Sequence, residues 1–309
     1  MSDSLQLLRR KIEGAGEVAS VVSAMKAVAA SSITQYECAV AALSDYYRTI
    51  ELGLSLCFRS NALAADLAPG AGRITGVIVF GSDQGMVGQF NDELAAFVGS
   101  QLAVLPGEKE IWVCWLQMQE SLANKGFAIS GHFDLPASID SINPLIVAAL
   151  STIEPHLLRW QGGGLYLLNN RPIDEAVFEP VSRKILPFDG AWLKARSQTV
   201  WPTKKLPEIV GDAESAFVRE YLFISIYQAC AESLAGENAC RLAAMQRAEK
   251  NVADLLTRLN QTYRRLRQSS IDEEMFDVIS GFEALPDAKK RSVPGLRITS
   301  EADSDNHVS

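Results

Sequence analysis

The chain is poor in the residues that build metal and acid–base sites. Its 309 residues hold only three histidines and five cysteines. His307 lies in the tail, and His132 and His156 have no metal-ligand spacing between them. Cys38, Cys57, Cys114, Cys230 and Cys240 form an odd, scattered set without a CxxC pair. That argues against a metal knuckle or a disulfide framework and for a reducing compartment. Positive charge is scarce too, with 29 Lys+Arg against 37 Asp+Glu and a net charge of −8. Nucleic acid is disfavoured as a partner, because phosphate neutralisation needs a basic face. The most apolar window, YLFISIYQACA (221–231), is bounded by charged residues and too short to span a bilayer. The opening MSDSLQLLRRKIEG lacks a signal-peptide core. A soluble protein with no transmembrane segment is expected, one still able to dock on a membrane complex.

Proline is missing from both ends. None precedes Pro69 and none lies between Pro207 and Pro286. Proline breaks helix interiors, so a long helix is permitted at each end. Positions 5, 8, 12, 15, 19, 22, 26, 29, 33, 36, 40, 43, 47, 50, 54 and 57 alternate by three and four, and Lys26 is their only charged member. A sustained 3.5-residue period specifies a left-handed coiled coil, here over residues 1–57. In a second helix, 206–285, Val252, Leu256, Leu259, Tyr263 and Leu266 keep the alternation. Ile271, Met275, Val278, Phe282 and Leu285 resume it one residue out of phase, so the seam must rotate within RLRQSS (265–270). At ~1.5 Å per residue the helices would run about 80 and 115 Å, so the second overhangs the first.

Residues 73–203 alternate strand and helix signals. RITGVIVFGS (73–82), EIWVCWL (110–116), GLYLLNN (164–170) and AVFEPVSRKILP (176–187) read as strands. Helices are expected at 91–105, before Asn124-Lys125-Gly126, and at 144–160, where Pro155 ends or kinks the helix. The order implies an open, mostly parallel sheet with helices on both faces. The expected fold class is therefore α/β: a long antiparallel coiled coil of terminal helices bearing an inserted Rossmann-like domain. Residues 286–309 are polar and aperiodic, and a disordered tail is expected there.

Catalytic constellations are missing. FGSDQGMVGQFND (80–92) places glycines between a strand and a helix, yet it fits neither G-x-G-x-x-G nor a P-loop. The plain reading is a strand-to-helix turn, with Asp83 as a turn stabiliser rather than a general base. No G-x-S-x-G elbow occurs. The expectation is no catalytic residue, no cofactor and no metal. Glu237 and Arg241 share a helix face at i, i+4, and Arg264, Arg265, Arg267, Gln268 and Asp272 crowd the phase slip. By spacing alone these make a solvated face.

Longer motifs change that reading. RRKIEGAGEVASVVSAMKAVAASSI resembles the N-terminal helix of the gamma subunit of F-type ATP synthases, matching its hallmark through Ala24-Met25 and Val28-Ala29-Ala30. SDQGMVGQFN (82–91) resembles that family's Ser-Asp-x-Gly-Leu-Cys-Gly-x-x-Asn, and residues 232–285 resemble its C-terminal signature almost throughout.

The resemblance implies a central rotor shaft. Its coiled coil would turn inside a ring of alpha and beta subunits, with epsilon and the membrane c ring as further partners. It would couple ion flow to ATP synthesis or hydrolysis as a non-catalytic subunit, at the cytoplasmic face of the bacterial inner membrane. Carried over residue by residue, the partner contacts fall on Lys11, Met25, Lys26, Glu237, Arg241, Arg267 and Gln268, with Asp272 beside the last two. Departures mark a divergent branch, such as the alternate F-type ATPase of some prokaryotes. Ser20 and Ser23 stand where lysines are usual, Gln84 replaces a basic residue, and Asp272 replaces a threonine. The small, weakly charged side chains of 17–37 suit a shaft that must avoid deep charge-paired minima. Two rivals remain: a coiled-coil scaffold or adaptor, and a nucleotide-dependent enzyme using the α/β insert.

Overall fold

A helix of 59 residues, α1 (Ser2–Ser60), opens the structure. The insert follows as β1 (Ile74–Phe80), α2 (Phe90–Val104), β2 (Glu108–Cys114), α3 (Leu116–Asn124), β3 (Gly131–Phe133), α4 (Ile142–Trp160), β4 (Gly164–Asp174) and β5 (Val177–Leu186). A 71-residue helix, α5 (Ala213–Glu283), completes it. The computed structural model describes residues 2–60, 74–82, 85–134, 138–160, 163–174, 177–188 and 213–283. The expected tail, 286–309, and the start of the second helix, 206–212, lie outside the described residues.

The chain divides into two compact units, residues 20–250 and residues 1–19 with 251–309. The insert thus does not separate from the helices that flank it. All sixteen seam positions read from the sequence of α1 are buried or half-buried. In the larger unit Val22, Ala29, Tyr36, Ile50, Leu54 and Cys57 are fully inside. Three contacts fix the helix direction there. Lys26 meets Glu249, Tyr46 donates to Glu220, and the Tyr47 and Tyr221 rings lie 5.8 Å apart. Partner numbers fall along α5 as they rise along α1, so the pairing is antiparallel.

In the smaller unit Leu5, Leu8 and Ile12 are half-buried and Ala15 is buried, as are, in part, Val252, Leu256, Leu259, Tyr263 and Leu266. The out-of-phase continuation differs. Ile271, Met275 and Val278 are 54%, 51% and 72% accessible, and only Phe282 is half-buried. Among the described residues nothing covers that stretch.

The sheet order is β3-β2-β1-β4-β5. β1 pairs in parallel with β2 and β4, with Val77 between Ile111 and Tyr166, and β3 is parallel to β2. β5 runs antiparallel to β4. Two residues separate these strands, too few for a parallel crossover, so only a hairpin return is available. β3 is three residues long and carries no period that sequence could show. One sheet face packs Val77, Val79, Ile111 and Val113 against Leu94 and Val98 of α2 and Met118 and Leu122 of α3. The other packs Ile78, Phe80, Trp112 and Leu167 against α4, α1 and α5. α4 continues through Pro155 rather than ending there.

Every residue of α5 from Ala229 to Arg241 is buried. A helix buried all round is normally apolar all round. Here ACAESLAGENACR combines small side chains with polar ones that bond within the fold, such as Glu237 to Arg241, because α5 runs between α1 and the sheet.

Candidate functional site

In an open α/β sheet a ligand crevice is expected at the carboxyl ends of the strands, where the order reverses. Here that point lies between β1 and β4, and α5 occupies it. Ser233 Oγ lies 2.9 Å from the Phe80 carbonyl oxygen and 3.1 Å from that of Gly81, at the end of β1. Asn170 of β4 donates to the Phe90 carbonyl at 3.1 Å, and Asn169 donates to Glu232 Oε2 at 3.1 Å. Arg183 of β5 donates to the same Glu232 oxygen at 2.8 Å, and Gln228 donates to its Oε1 at 2.8 Å. Glu232 is 7% accessible and would be expensive to bury without these donors. The chain's own helix fills the crevice and bonds the Phe80 carbonyl, Asn169 and Arg183 there.

The glycine-bearing turn is equally committed. Ser82 N–H donates to Asn91 Oδ1, so it is not aimed at an anion. Gly88 has φ +66°, the conformation that favours glycine, and Met86 shares it at +66° with an exposed side chain. Asp83 and Gln84 lie outside the described residues. The described residues contain no cluster of three or more His, Cys, Asp or Glu able to hold a metal. His156 is a structural histidine. Its Nδ1 lies 3.0 Å from Glu110 Oε2, which also accepts from Trp160 Nε1 at 2.8 Å, while Arg159 contacts Oε1 at 2.9 Å.

The eight residues suggested by motif separate into two kinds. Lys11, Arg267, Gln268 and Asp272 are exposed and Met25 is half-buried. No ion pair joins Arg267 to Asp272 among the described residues, as their i, i+5 spacing favours none. Glu237 and Arg241, by contrast, are 2% and 7% accessible and pair with one another, and Arg241 Nη1 also donates to Asn238 Oδ1 at 3.0 Å. They face the interior of the larger unit, near Tyr36. Burial raises the Tyr36 phenol above its usual range, Cys230 and Glu237 add to the rise, and Arg241 opposes it. Lys26 is engaged as well, donating to Glu249 Oε2 at 2.7 Å. Spacing gave no sign of Glu249, Ser233 or the Arg183–Glu232 pair, which join residues 49 to 223 positions apart. Asn91 stood in view as the last residue of SDQGMVGQFN.

A coiled coil locked into the crevice of its own α/β insert is the frame of a shaft-type structural subunit. Residues 4–285 match the family model for ATP synthase, and the chain belongs to that family, on the side of its gamma, central-stalk subunits. It is 24% identical over 287 residues to the ATP synthase gamma chain of Sulfurihydrogenibium sp., covering 90% of this chain and 97% of that one. With the gamma chain of Syntrophus aciditrophicus it shares 26% over 294 residues, covering 91% and 98%. In fold it matches a chain of the Euglena gracilis mitochondrial ATP synthase OSCP/F1/c-ring structure, with TM-score 0.61 and 16% identity over 97% of this chain and 99% of that one. No described helix is long and apolar enough to cross a membrane.

Proposed function

We propose that this chain is the central rotor of a rotary F-type ATP synthase or ATPase. Its coiled coil turns inside an alpha/beta ring, and epsilon and a membrane c ring are its other partners. It couples ion flow to ATP synthesis or hydrolysis without an active site of its own, bound peripherally at the cytoplasmic face of a bacterial inner membrane. The observation that carries this reading is α5 in the strand-end crevice. The insert is held to the helix by Ser233, Glu232, Arg183 and Asn169, so a twist applied to the insert passes directly into the shaft.

Of the motif residues, Lys11, Met25, Arg267, Gln268 and Asp272 are accessible to a surrounding ring, and we assign the partner contacts to them. Glu237 and Arg241 act as an internal brace under that surface, and Lys26 is taken up by Glu249. The test is co-expression of the full chain with candidate alpha and beta subunits. A stoichiometric complex that hydrolyses ATP, with no hydrolysis by the chain alone, is the expected result. A stable homodimer that ignores both subunits would favour the scaffold reading. Micromolar ATP binding by the isolated chain would favour the enzyme reading.

A further inference from the structure

Between Glu17 and Glu37 the first helix carries a single charged side chain, Lys26. Elsewhere round the helix Ser20, Ser23, Val21 and Val28 are exposed, the two valines at 58% and 65%, so α1 presents no other charge over this stretch. Lys26 is not left free there. Its ammonium donates to Glu249 Oε2 of α5 at 2.7 Å, with the two side chains 37% and 46% accessible. An exposed pair of this kind adds little to stability, because screening and side-chain entropy offset the Coulomb attraction. The buried Val22 and Ala29 already hold the seam on either side. The effect of the pair lies in what a neighbouring surface meets.

We propose that Glu249 is a charge-masking residue, a positioning group that cancels Lys26 and holds its ammonium against α5. The α1 stretch between Glu17 and Glu37 then presents no unpaired charge to a surrounding ring. This rests on the rotor reading above. An unmasked ammonium would meet carboxylates of the ring at particular angles, and each meeting would deepen one dwell of the rotation. A surface ion pair of ordinary strength slows escape from such a dwell by about threefold to fivefold.

The experiment uses the full chain assembled with its alpha and beta subunits. It compares wild type, E249Q and the double variant K26Q/E249Q in ATP hydrolysis and single-molecule rotation at low and high salt. E249Q is expected to turn about threefold to fivefold more slowly than wild type at low salt. High salt should narrow that ratio, since the Debye length shrinks to roughly 3 Å at molar ionic strength. The double variant is expected to recover wild-type speed although it has lost the pair entirely. A structural role predicts the reverse, a double variant no faster than E249Q. That result, unchanged turnover in E249Q, or an E249Q chain that no longer assembles would each overturn the proposal. Failure of the wild-type chain to form an ATPase at all would instead overturn the rotor reading beneath it.

Discussion

The carboxamide of Asn91 satisfies both backbone groups of Ser82. Ser82 N–H donates to Asn91 Oδ1 at 2.9 Å, and Asn91 Nδ2 donates to the Ser82 carbonyl at 3.0 Å. Ser82 is 0% and Asn91 8% accessible, so water does not replace either bond. The bracket closes the turn between β1 and α2, the place where a phosphate-binding protein would keep its N–H groups free. Asn91→Ala should therefore leave a buried donor and a buried acceptor unmet, and destabilise the chain by about 2–4 kcal/mol. Asn91→Asp keeps the acceptor but sets a buried carboxylate against the Ser82 carbonyl oxygen, and should lose at least as much. Urea denaturation of the three chains checks the order, and an alanine variant as stable as wild type would remove the bracket from the account.

The Arg183–Glu232 pair should behave as one unit. Arg183→Met leaves Glu232 with Asn169 and Gln228 as remaining donors, and the arginine side chain is 30% accessible, so the loss should be moderate, about 1–3 kcal/mol. Glu232→Gln alone should also destabilise. The double variant should lose clearly less than the two single losses added together, because each change already removes the same contact. Additive losses in a double-mutant cycle would show that the pair does not join β5 to α5.

Thiol reactivity should be confined to one residue. Cys38 is exposed, whereas Cys57, Cys114, Cys230 and Cys240 are buried. Burial raises the thiols of Cys114 and Cys230 well above the ordinary value of 9.0, and pushes Cys240 up to about 12. A maleimide at pH 8 should label the native chain once, at Cys38, and label all five cysteines after denaturation. Rapid labelling of a second thiol in the native chain would contradict this packing.

The same shifts set an alkaline limit. A thiol or phenol whose folded value is raised stabilises the fold fully below its unfolded value, and that contribution fades as pH climbs above it. Unfolded thiols ionise near 9.0, and Tyr36, Tyr166 and Tyr227 are likewise raised by burial from 10.0. The urea midpoint should thus hold steady between pH 7 and 8.5 and decline from about pH 9 upward. A midpoint that rises over that range would reverse the sign and refute the assignment.

Within the assembled complex, Arg267→Ala should lower coupled turnover while leaving assembly intact. Arg267 and Gln268 are exposed and no ion pair engages them among the described residues, so the change costs the free chain little stability. A charge-assisted bond to a ring subunit is worth about 1.5–3 kcal/mol, enough to slow a coupled step roughly tenfold or more. Wild-type ion-driven ATP synthesis by this variant would sink the contact assignment.

The coiled-coil seam was legible in the sequence because its signal is local and repeated. Each of the sixteen positions in α1 needs only to face the same stripe, and Lys26 is the single charge among them. Strands β1, β2 and β4 were legible for a related reason, as apolar runs bounded by turn residues. The reversal of β5 was written in its connection, two residues from Asp174 to Val177, but was hidden by the run of strand and helix signals before it. Glu237 and Arg241 looked like half of a solvated face, because i, i+4 spacing is the same inside and outside a protein. Only the passage of α5 between α1 and the sheet makes them interior.

By itself the sequence determined the two helices, their shared 3.5-residue seam, the α/β character of the insert and, through its motifs, the family. These follow from periods and short-range chemistry that survive in a chain with no partner. Tertiary structure alone decided that α5 fills the strand-end crevice, that Asn91 brackets Ser82, and that Lys26 meets Glu249. Each of the first and last of these joins groups more than a hundred positions apart, and no local preference of either group encodes the other. The first two exist because a packed core brings polar atoms together where water is excluded, whereas the exposed Lys26–Glu249 pair follows from the antiparallel register of the two helices.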